Sequence, residues 1–151
     1  MLDFRPIEDK DFDKLLELDL READKKEIKA LTGEEPWKAI KETIVQSNIV
    51  FTIEEAGEPV GLYALAIEKH GANIVALLGN DRLNNYPVQL VRHLKQVADN
   101  WNQYYGCLFN FIDARRSQDF KFLRTLGFNI LDQKKFYFDD EDHPFYFFYR
   151  R

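Results

Sequence analysis

The segment from Leu108 to Phe128 constrains the fold of this 151-residue chain more tightly than any other. It opens with an apolar run, LFNFI, that predicts a buried strand, and it continues through a polar turn into a short helix. Ser117 is placed to cap that helix, and Leu126-Gly127-Phe128 is placed to close it. A strand that feeds a short helix of this kind indicates a protein built from both helices and strands.

The remaining sequence divides into helices and strands without a repeat or a linker, which predicts a single domain over residues 1–151. Apolar residues at helical spacing predict helices at Asp9–Glu22, Asp24–Leu31, Pro36–Gln46 and Pro87–Tyr105. Strands are predicted at Leu2–Ile7, Ile49–Glu54, Val60–Glu68, Ile74–Leu78, Leu108–Asp113, Asn129–Phe138 and Pro144–Arg150. This order predicts a mixed α/β fold, with a central six- to seven-stranded sheet and helices on both faces.

Composition excludes several classes of function. The formal net charge of −5 argues against non-specific nucleic-acid binding, which needs a basic surface. No apolar run approaches the length of a membrane helix, and the N-terminus is charged from its third residue, so neither a membrane segment nor a secretory leader is expected. The single cysteine, Cys107, fits a reducing cytosol and is expected to be a buried small hydrophobe. We therefore expect a cytoplasmic protein.

No pattern of metal ligands is present in the sequence. The acidic turn Asp139–His143 lacks the glycine and the alternating spacing of a calcium loop, so it is expected to be a solvated turn. His70, His93 and His143 lie on separate predicted elements and form no spaced ligand pair. We expect no metal site.

The order of the predicted elements, with Leu-Gly-Phe closing the last helix, resembles the GNAT (Gcn5-related N-acetyltransferase) superfamily and implies a GNAT-like fold. Shorter motifs are similar to GNAT-like proteins of short-tailed phages, a group that includes an internal virion protein needed for particle assembly. For a phage protein, the resemblance implies the host cytoplasm or the virion as its location. The phage-like motifs are Arg21-Glu22-Ala23-Asp24, Pro36 with Ile40, Leu77-Leu78-Gly79 before Asp81, Asn110 with Asp113-Ala114-Arg115, and Phe122-Leu123 before Leu-Gly-Phe.

GNAT enzymes bind the acyl-CoA pyrophosphate with a loop patterned Gln/Arg-x-x-Gly-x-Gly/Ala, whose amides converge on phosphate at a helix N-terminus. The equivalent segment, Gly79–Pro87, has one glycine at the wrong end, and Pro87 removes an N–H donor. The resemblance therefore implies a degenerate acyl-CoA site, with acetyl-CoA as an optional ligand and no required cofactor. The candidate cofactor contacts are Leu78, Gly79, Asn80, Arg82, Asn84 and Asn85.

The resemblance also implies two catalytic groups. One is a tyrosine four residues before the glycine of Leu-Gly-Phe, which protonates the leaving thiolate, and the other is a glutamate general base on the fourth strand. Leu123 stands at the first position, and Ile74–Leu78 contains no acidic residue. Because general acid–base assistance is worth about 10²–10⁴-fold in rate, the sequence predicts no catalytic residue and leaves enzymatic activity open.

Six polar residues are candidates for the groove that holds the acceptor substrate in this fold. For those near residue 21, the alternative is an ordinary salt bridge with a cap at a helix end. Asp113 and Arg115 lie at the carboxyl end of a strand, where ligands of such sheets gather, and Asn110 lies within that strand. The six are Arg21, Glu22, Asp24, Asn110, Asp113 and Arg115.

The C-terminal strands are aromatic on both alternating faces. Phe145–Tyr149 and Phe136–Phe138 can pack one face on the core, and the other face, unless a helix covers it, is a surface for a protein partner or a homo-oligomer. A strand buried between helices is the alternative. We expect a GNAT-fold phage protein that acts mainly through protein association in virion assembly. The alternative is an active N-acetyltransferase that transfers an acetyl group from acetyl-CoA to an amine.

Overall fold

Seven strands form one mixed sheet in the order β1-β2-β3-β4-β5-β7-β6, in a computed structural model that describes residues 1–68 and 70–151. Neighbouring strands are antiparallel except β4 and β5, which are parallel. This sheet confirms the predicted fold class. The strands are β1 Leu2–Pro6, β2 Ile49–Glu55, β3 Glu58–Ala66, β4 Ala72–Gly79, β5 Cys107–Asp113, β6 Asn129–Phe136 and β7 Phe145–Arg150.

In the described part of the chain five α-helices cover the sheet, and the predicted bounds of the third and fourth are confirmed. The helix predicted over Asp9–Glu22 is confirmed only in its first half, where a 3₁₀ turn at Asp9–Asp11 leads into an α-helix that ends at Leu16. Beyond it, Arg21 N–H donates to Gly79 O (3.0 Å) and ties the segment to the end of β4. The prediction that Ser117 caps the last helix is wrong, because Ser117 opens a 3₁₀ turn before it. The helices are α1 Phe12–Leu16, α2 Glu22–Thr32, α3 Pro36–Gln46, α4 Pro87–Tyr105 and α5 Phe120–Thr125.

Two hydrophobic cores lie on opposite faces of the sheet. Strand β3 supplies both, because successive side chains of a strand point to opposite faces. Leu62 packs with Leu15, Ile28 and Ile40 under α1–α3, whereas Leu65 belongs to the core under α4 and α5. The helices therefore cover both faces of the central strands, as the sequence predicts.

The turn that joins β6 and β7 closes the carboxyl end of α2. The amides of Asp139 and Asp140 donate to Leu31 O (3.4 Å) and Ala30 O (2.9 Å). These bonds satisfy carbonyls that a helix end leaves without partners. A side chain at Gly33, which has φ +73°, would lie 2.7 Å from the Asp139 carboxylate. The turn expected to be merely solvated is thus a structural contact, although the Asp139 side chain is exposed.

Other expectations concern single residues and absences. Cys107 is half-buried rather than fully buried. Within residues 1–68 and 70–151, no helix has both the length and the apolar character that crossing a membrane requires. The same residues contain no cluster of three His, Cys, Asp or Glu side chains that could hold a metal ion.

Candidate functional site

The two parallel strands at the centre of the sheet, β4 and β5, are paired over a short stretch and then separate. Three register pairs join β4 to β5, the last being Ile74 with Phe109, whereas β4 continues to Gly79. At the point of separation, Asn110 Nδ2 donates to Val75 O (2.6 Å). The Asn110 side chain therefore takes the place of the next backbone hydrogen bond between the strands.

Asn73 holds the closed end of this gap. It is fully buried, and its Nδ2 donates to Tyr105 O (2.8 Å) and Cys107 O (3.1 Å), while its Oδ1 accepts from the amide of Glu68 (3.1 Å). These bonds join the start of β4 to the end of α4 and the start of β5. The strands are thus fixed together at one end and separated at the other.

A cavity of about 510 Å³ occupies the gap between β4 and β5. Its lining comes from α2 and α3 on one face of the sheet and from α4 and α5 on the other, so it passes through the sheet. A smaller apolar cavity of about 100 Å³ adjoins it under α4 and α5. The residues that line both cavities are Val75, Ala76, Leu77, Phe122, Leu123 and Phe148.

Asp24 connects the separated ends of the two strands. Its Oδ2 accepts from Arg21 Nε (3.1 Å) and from the amide of Gly79 at the end of β4 (3.4 Å). Its Oδ1 lies 2.9 Å from Arg116 Nη1, in the turn after β5. The Asp24 side chain has no exposed surface. We call Arg21, Asp24, Gly79 and Arg116 the Asp24 clasp; it closes the open end of the gap with an ion-pair network.

Glu27 lies one helical turn beyond Asp24 and lines the cavity. Its Oε2 accepts from the amide of Asp113 (3.0 Å), and its Oε1 lies 3.2 Å from Arg116 Nη1. Burial, together with the nearby charges of Asp24 and Asp113, raises the pKa of Glu27 to about 7 against the opposing effect of Arg116. Its spacing of three residues from Asp24 on one helix face is the only sequence signal that could have identified it.

Arg21 and Asn110 are the only two of the six groove candidates among the cavity-lining residues of the described chain. Asp113 is buried and is held by Arg115, whose Nε and Nη2 donate to it at 3.0 and 2.6 Å. Burial raises the pKa of Asp113, but the Arg115 hydrogen bonds outweigh it, so the pKa is below its ordinary value. Glu22 is 78% exposed and pairs with Lys25 (3.2 Å), outside the cavity.

The loop that precedes α4 uses its backbone amides internally. It forms a 3₁₀ turn over Asp81–Asn85, and Asn80 accepts from the amides of Arg82 through Oδ1 (3.0 Å) and Leu83 through its carbonyl oxygen (3.2 Å). The amide of Tyr86 donates to Leu83 O (3.2 Å). Three backbone amides that could donate to a phosphate therefore already donate hydrogen bonds within the loop.

The remaining candidates around this loop have structural contacts. The Arg82 guanidinium pairs with the carboxylate of Glu55 on β2. A side chain at Gly79 would collide with Leu83 and lie 2.8 Å from Val60 O, so close packing accounts for the glycine. Leu78 and Asn84 line the cavity, whereas Gly79, Asn80, Arg82 and Asn85 do not.

Two more carboxylates lie along the α2–α3 side of the cavity. Glu34 and Glu42 both line it, and burial and the neighbouring Glu42 together raise the pKa of Glu34. Within the described residues, Glu34 Oε2 is buried and has no hydrogen-bond partner. This side of the cavity is therefore acidic.

Aromatic rings form a continuous layer on the outward face of β5, β7 and β6. Phe111 lies 5.5 Å from Phe147 and 5.1 Å from Phe136, between ring centroids, and Phe147 stacks on Tyr149 at 5.7 Å. These four rings and Phe109 are partly exposed. We call them the aromatic face; Phe111 also lines the cavity, so the two features adjoin.

Comparison with known proteins identifies the fold. No protein-family model and no curated protein matches the sequence. The ribosomal-protein-S18-alanine N-acetyltransferase from Escherichia coli matches with a TM-score of 0.70 and 12% identity over 99% of this chain and 93% of that one. The spermidine N-acetyltransferase from Vibrio cholerae, solved with CoA and spermine, matches with a TM-score of 0.67 and 15% identity over 98% and 94%.

An acetyltransferase of the GNAT family from Streptococcus pneumoniae gives a TM-score of 0.66 and 18% identity over 99% of this chain and 98% of that one. Likeness at such identities establishes architecture, since one fold hosts many functions. The chain has the fold of the GNAT-family N-acetyltransferases.

Proposed function

We propose that the chain is an acyl-CoA-dependent N-acyltransferase that moves an acyl group from a thioester to a primary amine. The observation that carries this proposal is the cavity through the gap between β4 and β5, with Glu27 in its wall. Such a passage lets a thioester enter from one face of the sheet and an amine from the other. Proteins with this architecture include N-acetyltransferases, one of them bound to CoA and spermine.

The donor would enter between α4 and α5. The smaller cavity there is lined by apolar side chains and leads to the gap, where β4 runs five residues past its last pairing with β5. An extended chain with amide groups can add to such an unpaired strand edge through main-chain hydrogen bonds. The pantetheine arm of an acyl-CoA has that chemistry. Of the donor-site candidates, Asn84 lines the cavity and can contact it, whereas the Leu78 side chain packs under α1–α3 on the opposite face.

The pyrophosphate would contribute little to donor binding. The amides of Arg82, Leu83 and Tyr86 are engaged within the loop, Pro87 has no N–H, and Glu55 neutralises the Arg82 side chain. A phosphate at this loop would have to break those bonds first. We therefore propose that the donor is held mainly by its pantetheine and acyl portions.

Acetyl-CoA is expected to raise the melting temperature, because a ligand at about 100 times its Kd stabilises a folded protein by about 2.7 kcal/mol. Adenosine 3′-phosphate 5′-diphosphate, which keeps the pyrophosphate but lacks the pantetheine arm, serves as the control and should raise the melting temperature far less. CoA release is then followed by chromatography with spermidine and with an alanine-ended peptide as acceptors. An unchanged melting temperature at millimolar acetyl-CoA, with no CoA released, would contradict the proposal.

Protein association is the second candidate, as expected from the similarity to assembly proteins of short-tailed phages. The aromatic face is the observation that favours it, since a partly exposed cluster of aromatic rings can serve as a binding surface. Phe147 belongs to this face, whereas Phe148 points into the core under α4 and α5. Phe147 is therefore the residue to change.

Phe147→Ser is expected to shift a self-associated chain to the monomer in sedimentation-velocity experiments, because it removes a ring that contacts Phe109, Phe111 and Tyr149. Tyr137→Ser is the matched control. Tyr137 is 51% exposed and is not a member of the aromatic face. A wild-type chain that stays monomeric at high concentration would argue against self-association through this face.

A further inference from the structure

We propose that Glu27 is the base that removes the proton from the acceptor ammonium, an inference that rests on the acyl transfer proposed above. An alkylammonium has an ordinary pKa near 10, so at neutral pH it must lose a proton before its nitrogen can attack a carbonyl. A carboxylate in the cavity wall can supply that function from α2, although β4 carries no acidic residue.

Hydrogen bonds fix the orientation of the Glu27 carboxylate. The amide of Asp113 holds one oxygen at 3.0 Å, and Arg116 lies 3.2 Å from the other. An ionised carboxylate has about four acceptor positions, so these two contacts leave room for an amine. The Glu27 side chain is 21% exposed, which gives an acceptor access to it.

The charges that surround Glu27 favour a cationic ligand. In this cluster, three guanidinium groups face four carboxylates when Glu27 is ionised, so one negative charge is left without a partner. An ammonium would neutralise it, and burial beside these acids places the pKa of Glu27 at about 7, close to the value that suits a general base. The cluster consists of Arg21, Arg115, Arg116, Asp24, Glu27, Asp113 and Asp119.

The proton and bond changes balance without another reactant. The acceptor ammonium gives one proton to Glu27, and the neutral nitrogen then attacks the thioester carbonyl carbon. The new C–N bond forms, the C–S bond breaks, and the second proton lost by nitrogen neutralises the CoA thiolate. Glu27 returns its proton to solvent, so that ammonium and acyl-CoA yield amide, CoA thiol and one released proton.

Glu27→Gln is expected to lower kcat with acetyl-CoA and spermidine by about 100-fold or more, since positioned bases contribute about 10²–10⁴-fold. It should also remove the inflection near pH 7 in kcat/KM while leaving the KM for acetyl-CoA unchanged. Glu17→Gln, which removes an exposed carboxylate just after α1, should behave as wild type. A Glu27→Gln protein with the wild-type rate and the same inflection would overturn the inference.

A second measurement keeps the two proposals distinguishable. Carbon-13 NMR of the intact wild-type chain should show the Glu27 carboxyl titrating with a midpoint of about 7, whereas the ordinary midpoint of 4.5 would overturn the inference alone. Failure of wild type to bind acetyl-CoA or to release CoA would instead overturn the proposed function and the inference with it. Melting curves of each variant verify that it is folded.

Discussion

Asp24→Ala is expected to destabilise the chain by about 3–5 kcal/mol, the usual loss when one partner of a buried ion pair is removed. The Asp24 side chain has no exposed surface, and the Arg21 and Arg116 side chains that it holds are only 15% and 13% exposed. The substitution would leave two largely buried guanidinium groups with less compensation and the Gly79 amide without its acceptor. Because the Asp24 clasp joins α2 to β4 and to the turn after β5, the gap would also lose its closure.

Urea unfolding measures this loss, with Asp19→Ala as the matched control. Asp19 pairs with Lys25 at 2.6 Å but is 88% exposed, so its removal should cost less than about 1 kcal/mol. Asp24→Asn keeps an oxygen acceptor without the charge and should fall between the two. Equal losses for Asp24→Ala and Asp19→Ala would show that the Asp24 clasp does not hold the structure together.

Leu123→Tyr is expected to raise kcat for acyl transfer by about 10²-fold, the lower end of what a positioned general acid contributes. Leu123 lines both the large cavity and the smaller one under α4 and α5, so a phenol hydroxyl there can reach the gap in which the thioester would lie. The CoA thiolate would then take its proton from the hydroxyl, and the second proton lost by the attacking nitrogen would restore the phenol. Steady-state kinetics with acetyl-CoA and spermidine measures the change.

Leu123→Phe is the control that distinguishes the effect of the tyrosine hydroxyl from the effect of adding a bulky ring. Both substitutions add an aromatic ring to the same apolar site, and only the tyrosine can donate a proton. Phenylalanine should therefore leave kcat near the wild-type value or below it. An equal effect of the two variants would show that the hydroxyl plays no part and that the thiolate is not protonated from this position.

The sequence predicted the fold well because the hydrophobic periodicity of its long elements agrees with their tertiary packing. The bounds of Pro36–Gln46 and Pro87–Tyr105 followed from a proline at the start and an apolar face along each helix. The first helix was predicted too long because the chain beyond Leu16 makes a backbone hydrogen bond from Arg21 to Gly79, a residue distant in sequence, instead of continuing the helix. Such contacts leave no periodic signature.

The candidate site was predicted less completely for the same physical reason. The position of Glu27 in the cavity wall depends on contacts with Asp113 and Arg116, more than 80 residues away, and on burial that no local pattern encodes. The pairing of Arg82 with Glu55 likewise bridges separate elements, so the sequence could present Arg82 only as a free phosphate ligand. Arg21 and Asp24 were recognised because their salt bridge is local, with a spacing of three residues.

The bridge from Asn110 to the Val75 carbonyl has a thermodynamic consequence for whatever enters between the strands. A ligand with amide groups finds no free acceptor at the Val75 carbonyl, because the Asn110 side chain already donates a hydrogen bond to it. Binding at that point is an exchange of one partner for another and not the gain of a new bond. At that point of β4, the net gain in free energy therefore comes from burying apolar surface, which favours apolar over polar groups of the donor beside Val75.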